Sequence, residues 1–357
     1  MAISKNKFFH KSVTAALVLA VPLLLANCFG GGNSSSNSGS TDNYDPSTSG
    51  NTQYKQDMRA FVQNISAYAR GIKPGFIVIP QNGHELVTAD GSTTGAASTV
   101  YLNAINGVGR EDLFYGFASD DVSTPAATRD KIIKYMDIAK ANNVQPLVTD
   151  YCWTMSNVAD SYARNAAKGY TSFAADSREL DRIPGYPVST APSGANTNNI
   201  TTLAAAKNFL YLLNSNVQYT TKTQFINALK ATNYDAFIID LFFDDNNLGQ
   251  VAYTLAEIDS LRTKPGGGSR LVIAYMSIGE AEDYRFYWNA AWANTPPLWL
   301  EGENPDWPGN YKVKYWDPAW QSVIYGNGAS YLKKILDAGF DGVYLDIIDA
   351  FEYFESM

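Results

Sequence analysis

GFDGVYLDIIDAFEYFESM (residues 339–357) holds a short apolar run, Val343 to Leu345, with the composition of a buried strand, and Asp346 and Asp349 stand where it ends. Carboxylates at the C-terminal end of a strand are where α/β enzymes gather their chemistry, because in a barrel those ends open onto one mouth. A strand placed last in the chain must find its neighbours earlier in the sequence.

Further strands read out from this one. YDAFIIDLFF (234–243) and RLVIAYMSIGE (270–280) are strongly apolar, and GFIVIPQNG (75–83) and VQPLVTDYCW (144–153) end in polar residues. With weaker candidates added, strands are expected near 76–80, 107–111, 146–150, 170–174, 216–219, 235–240, 271–277 and 342–346. Helical spacing recurs between them: Met58, Phe61, Val62, Ile65 and Tyr68/Ala69 share a face, as do Ile132, Ile133, Met136 and Ala139/Lys140. TTLAAAKNFLYLL (201–213) reads as helical, and PGYPVSTAPSGANTNN (184–199) has the turn-rich composition of a linker. Alternating strands and helices predict an α/β fold, a (β/α)8 TIM barrel, with a doubly wound open sheet as the alternative.

The first fifty residues are of another kind. Lys5, Lys7 and Lys11 precede SVTAALVLAVPLLLAN, which is bounded like a signal sequence, and the run closes on LLANC. A small residue before Cys28 resembles the bacterial lipoprotein signal, with lipid attached to the Cys28 thiol; a plain signal peptide and a retained anchor are the alternatives. Residue 29 is Phe rather than Asp, which favours the outer membrane in a double-membraned cell. The expected organisation is a signal peptide over 1–27, a Ser/Asn/Gly-rich tether over 28–53 and a barrel over 54–357. That places the protein in the bacterial cell envelope, lipid-anchored at the outer membrane or cell surface.

Composition excludes several chemistries. The formal charge of -8 gives nucleic acid no basic surface to grip. Only His10 and His84 are present, and His10 leaves with the signal, so a zinc site built on several histidines is excluded and no cofactor is called for. Cys152 follows a core strand and reads as an inert buried thiol.

Glu111, Asp150, Asp240, Glu280 and Asp346 each stand at or just past the end of an expected strand, whereas Asp283 and Asp349 read as supporting or capping residues. In a barrel the five would share one cleft; singly, each could equally be a helix cap. Paired carboxylates hydrolyse glycosides, one protonated to donate to the leaving oxygen and one charged to attack or to activate water. Six of the 7 tryptophans, Trp288, Trp292, Trp299, Trp307, Trp316 and Trp320, fall in one loop. Their faces suit sugar rings, with neighbouring Asp, Asn and Glu for hydroxyls; a loop with its own small core is the alternative.

YMSIGEAEDYRFYW (275–288), NPDWPGNYKVKYWDPAW (304–320) and GFDGVYLDIIDAFEYF (339–354) resemble extracellular glycoside hydrolases related to the endo-α-1,4-polygalactosaminidases. FIVIPQNGHELV (76–87), YLNAINGVGREDLFYG (101–116) and PLVTDYCW (146–153) match the same family, so the resemblance covers nearly all of 54–357. It implies a (β/α)8 barrel acting on galactosamine-rich polysaccharide. In that family the second group of segments follows the GVYLD strand, whereas here it precedes it. The order therefore resembles a circular permutation in which the helix from Tyr54 continues from the C-terminal end. The resemblance implies Glu280, Asp346 and Asp240 as catalytic residues. Tyr275, Glu282, Arg285, Glu111, Asp150, Asn82, Trp316 and Asp317 are the implied substrate-binding set, and either Glu280 or Glu282 could be the family's glutamate. The function expected is cleavage of an extracellular polysaccharide, with a non-catalytic carbohydrate-binding surface lipoprotein and a metal-dependent carboxylate hydrolase as alternatives.

Overall fold

The computed structural model of the protein describes residues 53–245 and 248–357. The signal expected over 1–27, Cys28 and all but the last residue of the tether lie outside the described residues.

Eight parallel strands occupy the centre: β1 (Ile77–Pro80), β2 (Gly107–Glu111), β3 (Gln145–Tyr151), β4 (Thr171–Ala175), β5 (Leu210–Leu212), β6 (Ala236–Asp240), β7 (Leu271–Ser277) and β8 (Gly342–Asp346). They form two ladders, β1-β8-β7-β6-β5 and β2-β3-β4. A parallel bridge between Gln81 and Gly109 joins the ladders, and the Asn82 N–H donates to the Gly109 carbonyl at 2.9 Å. On the opposite flank β4 approaches β5 through side chains. There Thr171 Oγ1 donates to the Ala206 carbonyl at 3.3 Å, and the Phe173 and Phe209 rings lie 5.8 Å apart.

The last strand sits inside the sheet. β8 pairs with β1 from Ile77↔Gly342 to Pro80↔Leu345 and with β7 along its whole length. The two ends of the described chain meet as expected. Tyr54 stacks on Phe354 at 5.5 Å, Lys55 pairs with Glu355, and the Tyr315 hydroxyl donates to the Tyr54 carbonyl at 2.8 Å. The helix Tyr54–Ile72 buries Met58, Phe61, Val62, Ile65 and Ala69, the stripe that its spacing predicts.

The fifth strand is not where the sequence suggests. It is Leu210–Leu212, inside the stretch read as helical, while the strand expected at 216–219 is instead a 3-10 turn, Ser215–Val217, with Val217 exposed. Phe209 to Leu212 are all buried. A run apolar at every position suits a parallel strand covered on both faces, and so short a run carries no helical periodicity against it.

Period-two alternation divides the strand side chains between two cores. Leu147 and Tyr151 of β3 face the large central cluster, whereas Val148 and Cys152 join Met136, Val158 and Ala174 beneath the outer helices. Burial pushes the Cys152 thiol far above its ordinary range, as suits an inert thiol. Tyr344 crosses from β8 toward β2, and a Cβ at Gly109 would come 2.1 Å from its hydroxyl; only glycine fits there.

The stretch 184–199 is fastened across the N-terminal ends of the strands. Asn196 donates to Asp235 at 2.7 Å, and Asp235 forms a fully buried ion pair with Lys264 at 2.7 Å. Beyond β7, the segments Glu280–Glu282, Asn310–Val313 and Leu300–Glu303 form a small antiparallel sheet. Over it runs a chain of ring contacts, Trp288 to Trp292 at 5.1 Å, Trp292 to Trp299 at 5.0 Å and Trp299 to Trp320 at 5.0 Å. Four of the tryptophans thus build the loop's own core.

Candidate active site

The C-terminal ends of β8, β1 and β2 bring one group of polar side chains together. Asp346 is partly open to solvent at the end of β8. Its Oδ2 accepts from the Tyr275 hydroxyl of β7 at 2.7 Å, and its Oδ1 from the Ile347 N–H at 2.8 Å. Burial and the charge of Glu111, two strands away, push its carboxyl up to about 7, against the opposing pull of those two hydrogen bonds. Glu111 ends β2, and both of its oxygens are held, one by the Tyr151 hydroxyl and one by the Gln81 amide. Gln81 in turn accepts from Tyr211 at 3.3 Å, whose ring lies 5.2 Å from that of Tyr344. The floor is therefore lined with tyrosines, which supply hydroxyls without mobile charge.

The backbone around this group is bent. Asn82 (φ 61°), Asp112 (φ 59°) and Ile347 (φ 58°) are left-handed within two residues of the ends of β1, β2 and β8. For a β-branched residue such as Ile347 that conformation is strained, and such strain persists only where the surroundings enforce it. Gly279 makes room for it, since a Cβ there would lie 2.2 Å from the Ile347 carbonyl oxygen. Just beyond, burial pushes Asp349 up to about 6, with Arg110 and Lys312 opposing.

A second group lies at β6 and the segment after β7. Arg285 is buried between two carboxylates, donating to Asp240 through Nη1 at 2.9 Å and Nη2 at 2.7 Å and to Glu282 through Nε at 2.6 Å. The Tyr284 hydroxyl holds the other Glu282 oxygen at 2.7 Å. Glu280 is fully enclosed, paired with Lys312 and accepting from Asn304 at 2.8 Å and Asn310 at 3.3 Å. It ties β7 to the tryptophan-rich loop.

Asp150 is not brought to the cleft. It follows Thr149 and precedes Tyr151, so it points outward, where its oxygens accept from the Phe114 and Tyr115 N–H groups, Ser161 and Asn165. Its carboxylate ties the β2 loop to the helix Met155–Lys168. Asp317 caps the helix Pro318–Ile324 by accepting from the Ala319 N–H at 2.8 Å. Trp316 packs on Tyr54 at 5.2 Å and Phe354 at 4.6 Å, where the two ends meet. Asn82 lies beside the cleft and accepts weakly from Arg110 at 3.4 Å. Sequence reasoning missed Tyr151, Gln81 and Tyr211. The pairing of Glu111 with Thr149 puts Tyr151, two residues farther along β3, on the face of Glu111 and Asp150 on the other.

Residues 189–356 match the model of the glycoside-hydrolase family GH114. An uncharacterized protein of Methanocaldococcus jannaschii is 43% identical over 158 residues, 44% of this chain and 42% of the relative. Uncharacterized proteins of Deinococcus radiodurans (39% over 127 residues, 36% of this chain and 37% of the relative) and Thermotoga maritima (40% over 125 residues, 35% and 36%) are also similar. The chain spans about two fifths of the length of these relatives.

Proposed function

We propose that this chain, whose residues 189–356 match the model of glycoside-hydrolase family GH114, cleaves glycosidic bonds in an extracellular polysaccharide with Asp346 and Glu111 as its two carboxylates. The carrying observation is the Asp346 carboxyl, pushed up to about 7 beside a second carboxylate. An acid that keeps its proton near neutral pH can protonate a leaving oxygen, while a partner fixed by Tyr151 and Gln81 attacks or activates water. Tyr275 orients the acid, and Arg285 holds Asp240 in place at the cleft's other side. Glu280, enclosed by Lys312 and two asparagines, supports the loop instead of touching the bond.

The polymer is one containing galactosamine, in keeping with the segments that resemble the polygalactosaminidases. The eight strands act as a closed barrel whose order is circularly permuted. Support comes from the β1–β8 pairing and from the contact of Tyr54 with Phe354, which leaves the ends where an older chain could have run through. Lipid at Cys28 keeps the enzyme at the cell surface.

The test is release of reducing ends from a partially deacetylated α-1,4-linked galactosamine polymer. Wild-type protein should release them, and Asp346→Asn and Glu111→Gln should each be nearly inert. Wild-type rates in both variants would refute the assignment.

A further inference from the structure

Five of the 7 tryptophans lie in or against the core, whereas Trp153 and Trp307 are half exposed, at 50% and 48%. Both stand on tightly fastened turns. Asp121, left-handed at φ 61°, donates its N–H to the Tyr151 carbonyl at 2.9 Å. Its carboxylate accepts from the Trp153 and Thr154 N–H groups, each at 3.1 Å, and from the Thr154 hydroxyl and the Asn157 amide. The Trp307 N–H donates to the Asn304 carbonyl at 3.2 Å, and its carbonyl accepts from the Asn310 N–H at 3.0 Å. Asn304 and Asn310 in turn both hold Glu280. An exposed indole on a backbone fixed in this way loses little freedom when a ring stacks on it.

We propose that Trp153 and Trp307 are stacking platforms, one on each side of the Asp346–Glu111 pair, for outlying sugar units of a single polysaccharide chain laid across the cleft. The proposal rests on the reading of the cleft as a glycosidase site and adds to it the path of the polymer.

Strand order gives the placement. Around the mouth the strands run β7, β8, β1, β2, β3, with the Gln81–Gly109 bridge joining the last strand of one ladder to the first of the other. Asp346 ends β8 and Glu111 ends β2. Trp153 follows β3, two residues beyond the Tyr151 whose hydroxyl holds Glu111. Trp307 belongs to the segment after β7, where the Tyr284 hydroxyl, bound to Glu282, also approaches the Asn310 side chain at 3.4 Å. The two carboxylates thus lie between the two indoles in strand order, an arrangement that a chain can use and a single sugar cannot. Charge selects the kind of chain. The Trp307 turn carries the exposed carboxylates Glu303 and Asp306, and a Cβ at Gly309 would come 3.0 Å from Asp283 Oδ1. Asp121 stands beside Trp153. An aromatic face among carboxylates attracts a ring bearing hydroxyls and an ammonium group, and repels an anionic one.

The experiment uses the full chain carrying Asp346→Asn, so that nothing is turned over. A partially deacetylated α-1,4-linked galactosamine polymer is titrated by calorimetry, with polygalacturonate as the anionic control and galactosamine itself as the single unit. Saturable binding of the first polymer is expected, weakened about fivefold or more by Trp153→Ala and again by Trp307→Ala, with binding of the single unit unchanged. Trp→Phe at either position keeps a ring face and should recover most of the loss. Both side chains are half exposed, so all four variants should fold, and thermal unfolding checks that they do. The proposal is overturned if the galactosamine polymer does not bind, if polygalacturonate binds as well, or if the phenylalanine variants are as weak as the alanine ones. Undiminished binding by either alanine variant overturns that platform. Reducing-end release by the wild-type chain is scored separately. Its absence with tryptophan-dependent binding intact would remove the glycosidase reading and leave the platforms, whereas release with undiminished binding in both variants would do the reverse.

Discussion

The Tyr275 hydroxyl donates to Asp346 Oδ2 at 2.7 Å across the paired strands β7 and β8, and it is the side-chain contact that restrains a carboxyl otherwise driven upward by burial and by Glu111. Proton retention at neutral pH is what a general acid needs, so this contact sets the pH range of the site. Tyr275→Phe removes a hydrogen bond to the charged form and must raise the Asp346 pKa further. The alkaline limb of kcat/KM, expected near pH 7 in the wild type, should move up by roughly half a unit to one unit. A limb that moves down, or does not move, would separate the pH dependence from Asp346.

Asp346→Asn should lower kcat by roughly 10²–10⁴-fold and at the same time stabilise the fold. Asp346 titrates at about 7 in the folded chain and near 3.9 when unfolded. The folded state therefore holds the proton more tightly. Ionisation costs stability from about pH 4 upward, and the cost levels off above the folded value. The asparagine variant should gain about 1–3 kcal/mol over wild type at pH 8, allowing for solvent that reaches the cleft, and far less at pH 4.5. Urea denaturation at the two pH values measures the difference.

Glu280→Gln separates a structural carboxylate from a catalytic one. The amide can still accept from Asn304 but leaves Lys312 without its charge partner. A loss of about 1–3 kcal/mol in stability is expected, with kcat retained at least about tenfold better than in Asp346→Asn. A fall in kcat as deep as that of Asp346→Asn would return Glu280 to the reaction.

Arg285→Gln should be among the most destabilising changes near the cleft. The guanidinium is 3% exposed and neutralises Asp240 and Glu282 together. Removing it leaves two carboxylates facing each other with no cation, a loss of about 3–5 kcal/mol by thermal or urea unfolding. Asp240→Asn on its own should cost less, because Arg285 keeps Glu282.

Much of this was legible in the residues. Seven of the strands lie where runs such as IVIP and GVYLD predict them, because a strand covered on both faces is apolar throughout and ends sharply at a polar residue. Leu210–Leu212 was not, since its three residues follow an alanine-rich stretch that mimics a helix and no local signal outweighs it. Asp150 shows a different limit. Position at a strand end can be read from composition, but the face a side chain takes depends on a register of two, and one residue's error sends a carboxylate behind the sheet. The tryptophans show a third: contacts such as Trp299 with Trp320 decide between ligand surface and loop core, and they exist only once the loop has closed.

Gly109 offers the sharpest test of how the packing between β8 and β2 supports the site. Its missing side chain admits the Tyr344 ring, and a Cβ would lie 2.1 Å from the hydroxyl, 2.5 Å from Cζ and 2.8 Å from Cε2. The clash involves the ring itself, so rotation of the hydroxyl cannot relieve it. Tyr344 is fully buried and packed on Tyr211 at 5.2 Å, which leaves the ring no free space to move into. Gly109→Ala should therefore cost about 1–3 kcal/mol or more by overpacking. It should also reduce activity, because Glu111 lies two residues farther along the same strand and the same face. Gly109→Ala combined with Tyr344→Ala opens the space again. Stability of the pair above the sum of the two single losses, read from a double-mutant cycle in urea, is the expected result; strict additivity would mean that the two residues do not meet.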